Sequence, residues 1–417
     1  MRVALCFANF GPYHLARLQA CHRLDGLATV GVQLAKEQSE YLWSASAPCV
    51  ESIVSDRPLE SVAPSEWPQL VSRFFAQLEP DVCAIAGYSH PGMLAMLDWC
   101  NRNGRPAVLM SDSTRYDDVR RWWKESFKRR LLRRYSAAFV AGVRHREYLQ
   151  SLGFRKPISV GYDVVDNAHF CPVSTPLPSV SLELPRRPFF LACARFIQKK
   201  NLPRLLEAYA AYRSAINEHT AVSREEDPNL SALPPSSSCY REVARAKLWD
   251  LVLLGEGPLR PALSAQIQAL GLQDSVLMPG FKPYEELPTY YARASAFVHC
   301  STSEQWGLVV NEAMASGLPV IVSHRCGCVP ELVHEGENGF TFEPTDTVAL
   351  SALMTRIAQM PESARRIMGQ ASQRIVQSWD LECFSLGLQA ACRSAKQSGM
   401  AQLNWIDTLV LLAVTRR

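Results

Sequence analysis

No run in the chain reaches the roughly 18–20 apolar residues that a membrane-spanning helix needs. The longest late candidate, Leu409 to Val414, stops at Thr415-Arg416-Arg417, so no spanning segment is expected. The apolar start from Met1 to Ala8 is too short for a secretory leader and reads as a strand. Charge of one sign is scarce as well: 44 Lys and Arg against 40 Asp and Glu leave +4, too small a balance to argue for nucleic acid. The 13 cysteines are scattered and odd in number, which speaks against a disulfide scaffold and for reduced, buried thiols in a cytoplasmic chain. His324, Cys326 and Cys328 lie close together but have no partner pair at zinc-like spacing, so a packed loop is expected there and no metal.

What is present is an ordinary globular composition, 47% hydrophobic and 20% charged over 417 residues. That excludes a disordered, collagenous or coiled-coil chain. The length exceeds what one hydrophobic core usually serves, so two domains are expected. Continuous apolar runs, the mark of parallel strands buried on both faces, recur at Val3–Phe7, Val82–Ala86, Pro106–Met110 and Ala137–Ala141. A helix is expected from Met93 to Asn101, before Gly104. After a proline-rich stretch from Phe170 to Pro188 the pattern restarts at Phe189–Cys193 and continues at Leu251–Leu254, Ser275–Met278, Ala296–His299 and Val320–Val322. Strand, loop and helix in alternation predict doubly wound α/β sheets. The expected division is a first domain over 1–170, a linker over 171–188, a second domain over 189–378, a helix over 379–396 and an amphipathic tail over 397–417. The polar stretch near 217–240 reads as a surface insertion.

Three segments carry candidate chemistry. In Ser301 to Val320, a strand end is followed by a polar loop with Glu304, then by Gly307 and a short helix that Gly317 and Pro319 stop. Free N–H groups of Gly307, Leu308 and Val309 at that helix start suit a phosphate. Glu304 and Glu312 are spaced to bracket an extended ligand; solvated helix-end acids are the plain alternative. In Ala194 to Pro203, Arg195, Lys199 and Lys200 gather at a helix start, where cations are disfavoured unless an anion joins them; a solvated basic loop is the alternative. Gly255-Glu256-Gly257-Pro258 is a weak phosphate-turn signal, and its glycines read better as sites of close backbone approach.

Together, Arg195 with Lys200, Gly255–Leu259, Gly280-Phe281, Glu304 to Glu312 and Glu337-Asn338-Gly339-Phe340 resemble the retaining glycosyltransferases of family 4, the glycosyl transferases group 1. The resemblance covers roughly Phe189 to Trp379, while the first half matches in layout only. It implies a GT-B fold, with two Rossmann-like doubly wound domains facing a central cleft. It also implies a nucleotide-diphosphate sugar as donor, linked to UDP or GDP, and no separate cofactor. Arg195 and Lys200 would hold the donor diphosphate, Glu312 the ribose hydroxyls, and Glu304 the sugar near its reacting carbon. Gly307, Leu308 and Val309 would supply N–H groups, Phe281 would lie near the base, and Gly11 would admit the diphosphate. His90 sits where many members carry a histidine facing the donor sugar; a loop histidine bonded to backbone is the alternative. The absence of any Asp-x-Asp pair agrees with metal-independent transfer.

The acceptor is left open as a glycan, a lipid-linked or a small molecule. Asp112, Arg115, Asp117 and Asp118 follow a strand and read either as acceptor-facing groups or as helix caps. Arg120 to Tyr135 holds eight basic residues and one acid with interleaved aromatics; it reads as contact with an anionic membrane or as a solvated helix packed on the sheet. The tail with Leu403, Trp405, Ile406, Leu409, Val410 and Leu412 suits an interface. Asn229-Leu230-Ser231 matches a glycosylation sequon, by chance in a cytoplasmic chain. The rival functions are an epimerase or phosphorylase on the same fold and a non-catalytic sugar-nucleotide-binding subunit.

Overall fold

A computed structural model describes residues 1–37, 48–117, 120–171, 184–226 and 248–398, without the side chains of 219–226. The readings placed on Asp118, on 172–183 of the linker, on the Asn229 sequon and most of the insertion, and on the tail beyond 398 lie outside the described residues. The chain forms two units, Met1–Asp166 with the segment from Trp379 onward, and Asn167–Ser378.

In the first unit seven strands, β1 (Arg2–Phe7), β2 (Ala28–Ala35), β3 (Val50–Val54), β4 (Val82–Ala86), β5 (Ala107–Ser111), β6 (Ala137–Val140) and β7 (Ile158–Val160), form one sheet. Their order is β3-β2-β1-β4-β5-β6-β7, and every pairing is parallel. β1 and β4 are continuous apolar runs because helices cover both of their faces. One side packs Trp67, Phe75 and Leu97; the other packs Leu18, Phe139, Phe384 and Leu388. β2 is absent from the sequence reading because Thr29, Gly31 and Gln33 interrupt its apolar run. Gly31 is there for packing: a Cβ would come within 2.7 Å of Leu18 and 3.0 Å of Phe10. The helix Leu381–Ser398 packs in this unit through Phe384, whose ring centroid lies 5.2 Å from that of Phe139. Lys396 there pairs with Asp81 at 3.5 Å.

The second unit starts at the short helix Asn167–Phe170, residues that the sequence reading assigned to the first domain. Local apolar content favours neither side; packing decides. Phe170 meets the rings of Tyr284 and Tyr291, each at 5.7 Å, and its carbonyl accepts from Ser316 Oγ at 3.0 Å. Six strands follow: β8 (Phe189–Cys193), β9 (Asp250–Leu254), β10 (Val276–Gly280), β11 (Ala296–His299), β12 (Val320–Ser323) and β13 (Gly339–Phe342). Their order is β10-β9-β8-β11-β12-β13, again all parallel. Among the described residues no helix is long and apolar enough to cross a membrane.

Candidate active site

In the second unit the chain builds outward from β8 in one direction to β9 and β10, then returns to β11 on the other side. Loops at such a reversal leave in opposite directions and open a crevice beyond the strands' C-terminal ends. The two loops concerned are Ala194–Lys200 after β8 and Cys300–Gly307 after β11, the segments singled out for their charge.

The structure joins them directly. Lys200 Nζ forms an ion pair with Glu304 Oε2. The same oxygen lies 3.2 Å from His299 Nε2 and accepts from Ser301 Oγ at 3.1 Å. Glu304 is therefore a held group rather than a solvated helix-end acid. Burial raises its pKa, but the His299 hydrogen bond and the Lys200 charge outweigh burial and carry it well below the usual carboxylate range. His299 is itself buried, which lowers its pKa; a neutral imidazole bonded to an ionised carboxylate there carries its proton on Nε2. Backbone contacts fix the loop: Gly327 N–H donates to Glu304 O at 3.0 Å and Cys328 N–H to Trp306 O at 3.2 Å. Asn201, left-handed at φ 59°, ties the two loops by donating from Nδ2 to Cys300 O at 3.0 Å.

Gly307 is the N-cap of the helix Leu308–Ala315 and sits at φ 106° with no side-chain cap. The left-handed backbone suits glycine alone, and a Cβ there would lie 3.4 Å from Glu304 Cγ. The first-turn N–H groups of Leu308 and Val309 have no intrahelical acceptor, and the helix starts beside Glu304. Trp306 below them is buried, its Nε1 donating to Asn311 Oδ1 at 2.9 Å.

Glu312 lies deeper. It is 1% exposed, and its Oε2 accepts from Tyr291 Oη at 2.6 Å. It lies near the end of β8, where burial and the Glu312 charge push the Cys193 thiol up to about 12. Arg195 is exposed, and its guanidinium has no partner among the described residues. Phe281 is 52% exposed at the end of β10. The Gly255 loop does what its glycines suggested. It packs on the Arg195 loop, with Phe196 N–H donating to Glu256 O at 2.8 Å and Leu259 N–H to Phe196 O at 3.0 Å. A Cβ on Gly255 would fall 1.9 Å from Ala194 O.

The first unit has the same reversal, between β1 and β4, and Gly11 and His90 stand in the loops that follow those strands. Gly11 is buried and caps the helix Pro12–His22, its N–H donating to His14 Nδ1 at 3.1 Å. His90 caps the helix Pro91–Arg102, with Nδ1 accepting from Gly92 N–H at 3.0 Å and its ring 5.5 Å from that of Trp67. That bond leaves the proton on Nε2, and burial lowers the pKa. Asp117 closes a turn by accepting from Thr114 N–H at 2.7 Å and Thr114 Oγ1 at 2.6 Å. The carboxyl of Asp112 is pushed up to about 7, first by burial and then by the charge of Asp163. Of the possible zinc set, Cys326 and Cys328 are buried, whereas His324 turns to Glu343, 3.1 Å away.

Sequence reasoning missed His299, Ser301 and Tyr291 as parts of the site. His299 left a signal, an imidazole ending an apolar strand five positions before Glu304. Tyr291 left none, since its helix reads as core.

Residues 240–374, inside the second unit, match the family described as glycosyl transferases group 1. That segment holds Phe281, Glu304, Gly307, Leu308, Val309 and Glu312 but not Arg195 or Lys200. The α-D-kanosaminyltransferase of Streptomyces kanamyceticus is 30% identical over 31% of this chain and 33% of its own length. The amylovoran biosynthesis glycosyltransferase of Erwinia amylovora is 33% identical over 27% of this chain and 28% of its own. The matched part thus spans about a third of these curated relatives. Among solved structures, sucrose-phosphate synthase from Thermosynechococcus elongatus shares the fold with a TM-score of 0.69 at 18% identity, over 96% of this chain and all of that one. An Anabaena protein solved with UDP and glucose does so with a TM-score of 0.66 at 17% identity, over 94% of this chain and all of that one. Residues 240–374 thus resemble the glycosyl transferases group 1, and the chain as a whole shares the GT-B fold of these solved structures.

Proposed function

We propose that the protein moves a sugar from a UDP- or GDP-linked donor to a glycan, lipid-linked or small-molecule acceptor, with retention of configuration, without a metal, and in peripheral contact with an anionic membrane. The observation that carries the transfer reading is the Lys200–Glu304 ion pair beside the uncapped helix start at Gly307. The naming of UDP draws on structural neighbours such as the Anabaena protein solved with UDP and glucose, and the link to polysaccharide biosynthesis on relatives such as the amylovoran enzyme.

The chemistry follows from where charge develops. Cleavage of the bond between the anomeric carbon and the diphosphate oxygen sends the electron pair to the diphosphate and leaves the sugar oxocarbenium-like. Lys200, Arg195 and the N–H groups of Leu308 and Val309 would meet the departing charge in this reading, and preorganised donors stabilise such charge without reorganisation. Glu304, kept ionised by Lys200, His299 and Ser301, faces the positive centre. With no donor bound, Lys200 and Glu304 neutralise each other; diphosphate oxygens compete for Nζ and release the carboxylate toward the sugar. Glu312 binds ribose hydroxyls in this reading, which requires the Tyr291 bond to be shared or exchanged.

The test is Glu304→Gln with a panel of UDP- and GDP-sugars and acceptors. Transfer is expected to fall by on the order of 10²-fold or more while binding of the nucleoside diphosphate persists. Unchanged transfer would remove Glu304 from the mechanism. An isomerised donor formed with no acceptor present would replace transfer by epimerisation.

A further inference from the structure

The helix Trp122–Leu132 sorts the basic stretch from Arg120 to Tyr135 into two populations. One is spent inside the unit. The Arg120 guanidinium lies 4.5 Å over the Tyr148 ring and donates to its Oη at 2.8 Å. Lys128 Nζ reaches Glu125 Oε1 at 3.1 Å and Tyr148 Oη at 2.8 Å. Arg134 is 2% exposed and faces Asp98 at 4.0 Å. Leu131 and Leu132 enter the core, and Phe127 packs against it. Glu125, the one acid of the stretch, is consumed on this inner side.

The other population faces out. Trp122, Ser126, Arg129 and Arg133 follow one another at helical spacing along one face, and all four are exposed. Trp122 is 83% and Trp123 51% exposed, with Arg121 also exposed beside them. The positive surface continues past the helix end: Lys156 Nζ donates to Arg133 O at 2.9 Å and, with Arg146 and Arg155, lines a cavity of about 430 Å³. Arg146 Nε is buried there with no hydrogen-bond partner among the described residues.

We propose that this outward face, Trp122 with Trp123, Arg129 and Arg133, seats the protein on an anionic lipid bilayer. The proposal deepens the peripheral part of the proposed function and does not depend on sugar transfer. Cations alone would suit any polyanion. Two exposed indoles in the first turn, Trp122 on the face of Arg129 and Arg133 and Trp123 on its flank, need a partner that is also apolar, and the boundary between headgroups and acyl chains supplies both. An acid-free face next to a basic cavity complements a surface of lipid phosphates, whose attraction for Lys and Arg fades within a Debye length. The helix would lie in the plane of the interface, with the cavity at its C-terminal end taking a headgroup phosphate.

The experiment is co-sedimentation of the full chain with vesicles of phosphatidylglycerol and phosphatidylcholine, and with phosphatidylcholine alone, alongside quenching of tryptophan fluorescence by brominated acyl chains. The native chain is expected to bind the anionic vesicles at least about tenfold better, to lose binding as salt rises, and to show quenching. The pair Trp122→Ala with Trp123→Ala should abolish the quenching. The pair Arg129→Glu with Arg133→Glu should lower anionic binding about tenfold or more, both with an unchanged unfolding temperature because the altered side chains are exposed. Anionic binding that survives both pairs would overturn the assignment and place contact elsewhere in the chain. Binding to heparin without binding to vesicles would replace the bilayer by a soluble polyanion. Neither result touches donor binding, so failure here is separable from failure of the transfer reading.

Discussion

The two units use the same strand order around their central reversals, β3-β2-β1-β4-β5-β6 and β10-β9-β8-β11-β12-β13, yet fill the loops at those reversals differently. Beyond β8 and β11 stand Arg195, Lys199, Lys200 and Glu304. Beyond β1 and β4 stand Phe10, Gly11, His14 and His90. The contrast extends to protonation. Burial, then the Arg17 charge, lower His14 to about 3, and burial lowers His90, so both imidazoles are neutral near pH 7, whereas Glu304 is held ionised. The topology supplies a crevice in either case; side-chain chemistry decides what enters it. A charged reversal suits a diphosphate. The neutral one offers no such counter-charge, and the N–H groups of Phe10, Gly11 and Gly92 are bonded there to side chains of their own unit.

Neutralising the charged side is expected to give the largest effect. Lys200→Met removes the counter-charge of Glu304 and one arm of the proposed diphosphate grip. Affinity for a nucleoside diphosphate should drop about tenfold to a hundredfold, the 1.5–3 kcal/mol typical of a hydrogen bond to a charged group, as read by calorimetry. Glu304→Gln, which frees Lys200 from its ion pair, should keep or tighten that affinity. If the two substitutions weaken diphosphate binding equally, the pair acts as a structural clamp and not as a ligand switch.

Next in size is a test of whether the first unit favours neutral groups throughout. Asp112, raised to about 7 in the folded protein, ionises at lower pH once unfolded. The protonated folded form is therefore favoured at low pH, and its contribution declines from about pH 4 until pH passes 7. Asp112→Asn should remove that decline and raise stability at pH 8 relative to pH 5, measured by denaturant unfolding at the two pH values. A variant less stable than the native chain at pH 8 would mean that the carboxylate is paired and charged.

The smallest effect separates the two roles of His90. As a helix cap it is worth about 1 kcal/mol, which His90→Ala should forfeit and His90→Asn should retain, because an Asn oxygen can accept from Gly92 N–H. A slower transfer in both variants would assign the ring to the donor sugar. A lowered unfolding temperature in the alanine variant with unchanged rates in both would confine His90 to capping.

Legibility in the sequence followed the range of the interactions concerned. β1, β4, β8 and β11 were readable because a strand buried on both faces must be apolar at every position. β2 and β13 were not, because Gly31 and Gly339 serve neighbours distant in the chain, a Cβ on Gly339 falling 2.1 Å from Val320 O. Glu304, Gly307 and Lys200 were recognisable from loop composition at strand ends. That Glu312 is covered by Tyr291 was not, because nothing in the helix Leu308–Ala315 announces which side chains close over it.

The amino-acid order alone determined the doubly wound class, the existence of two units and the charged loops, since each follows from patterns a few residues long. Only the tertiary structure decided that Lys200 meets Glu304 across 104 positions. It alone decided that His299 and Ser301 hold that carboxylate, and that Arg120, Lys128 and Arg134 turn to partners inside the unit while Arg129 and Arg133 face outward. Those outcomes depend on which strands lie side by side and which helix face the sheet covers, and both are settled by packing of the whole unit rather than by local preference.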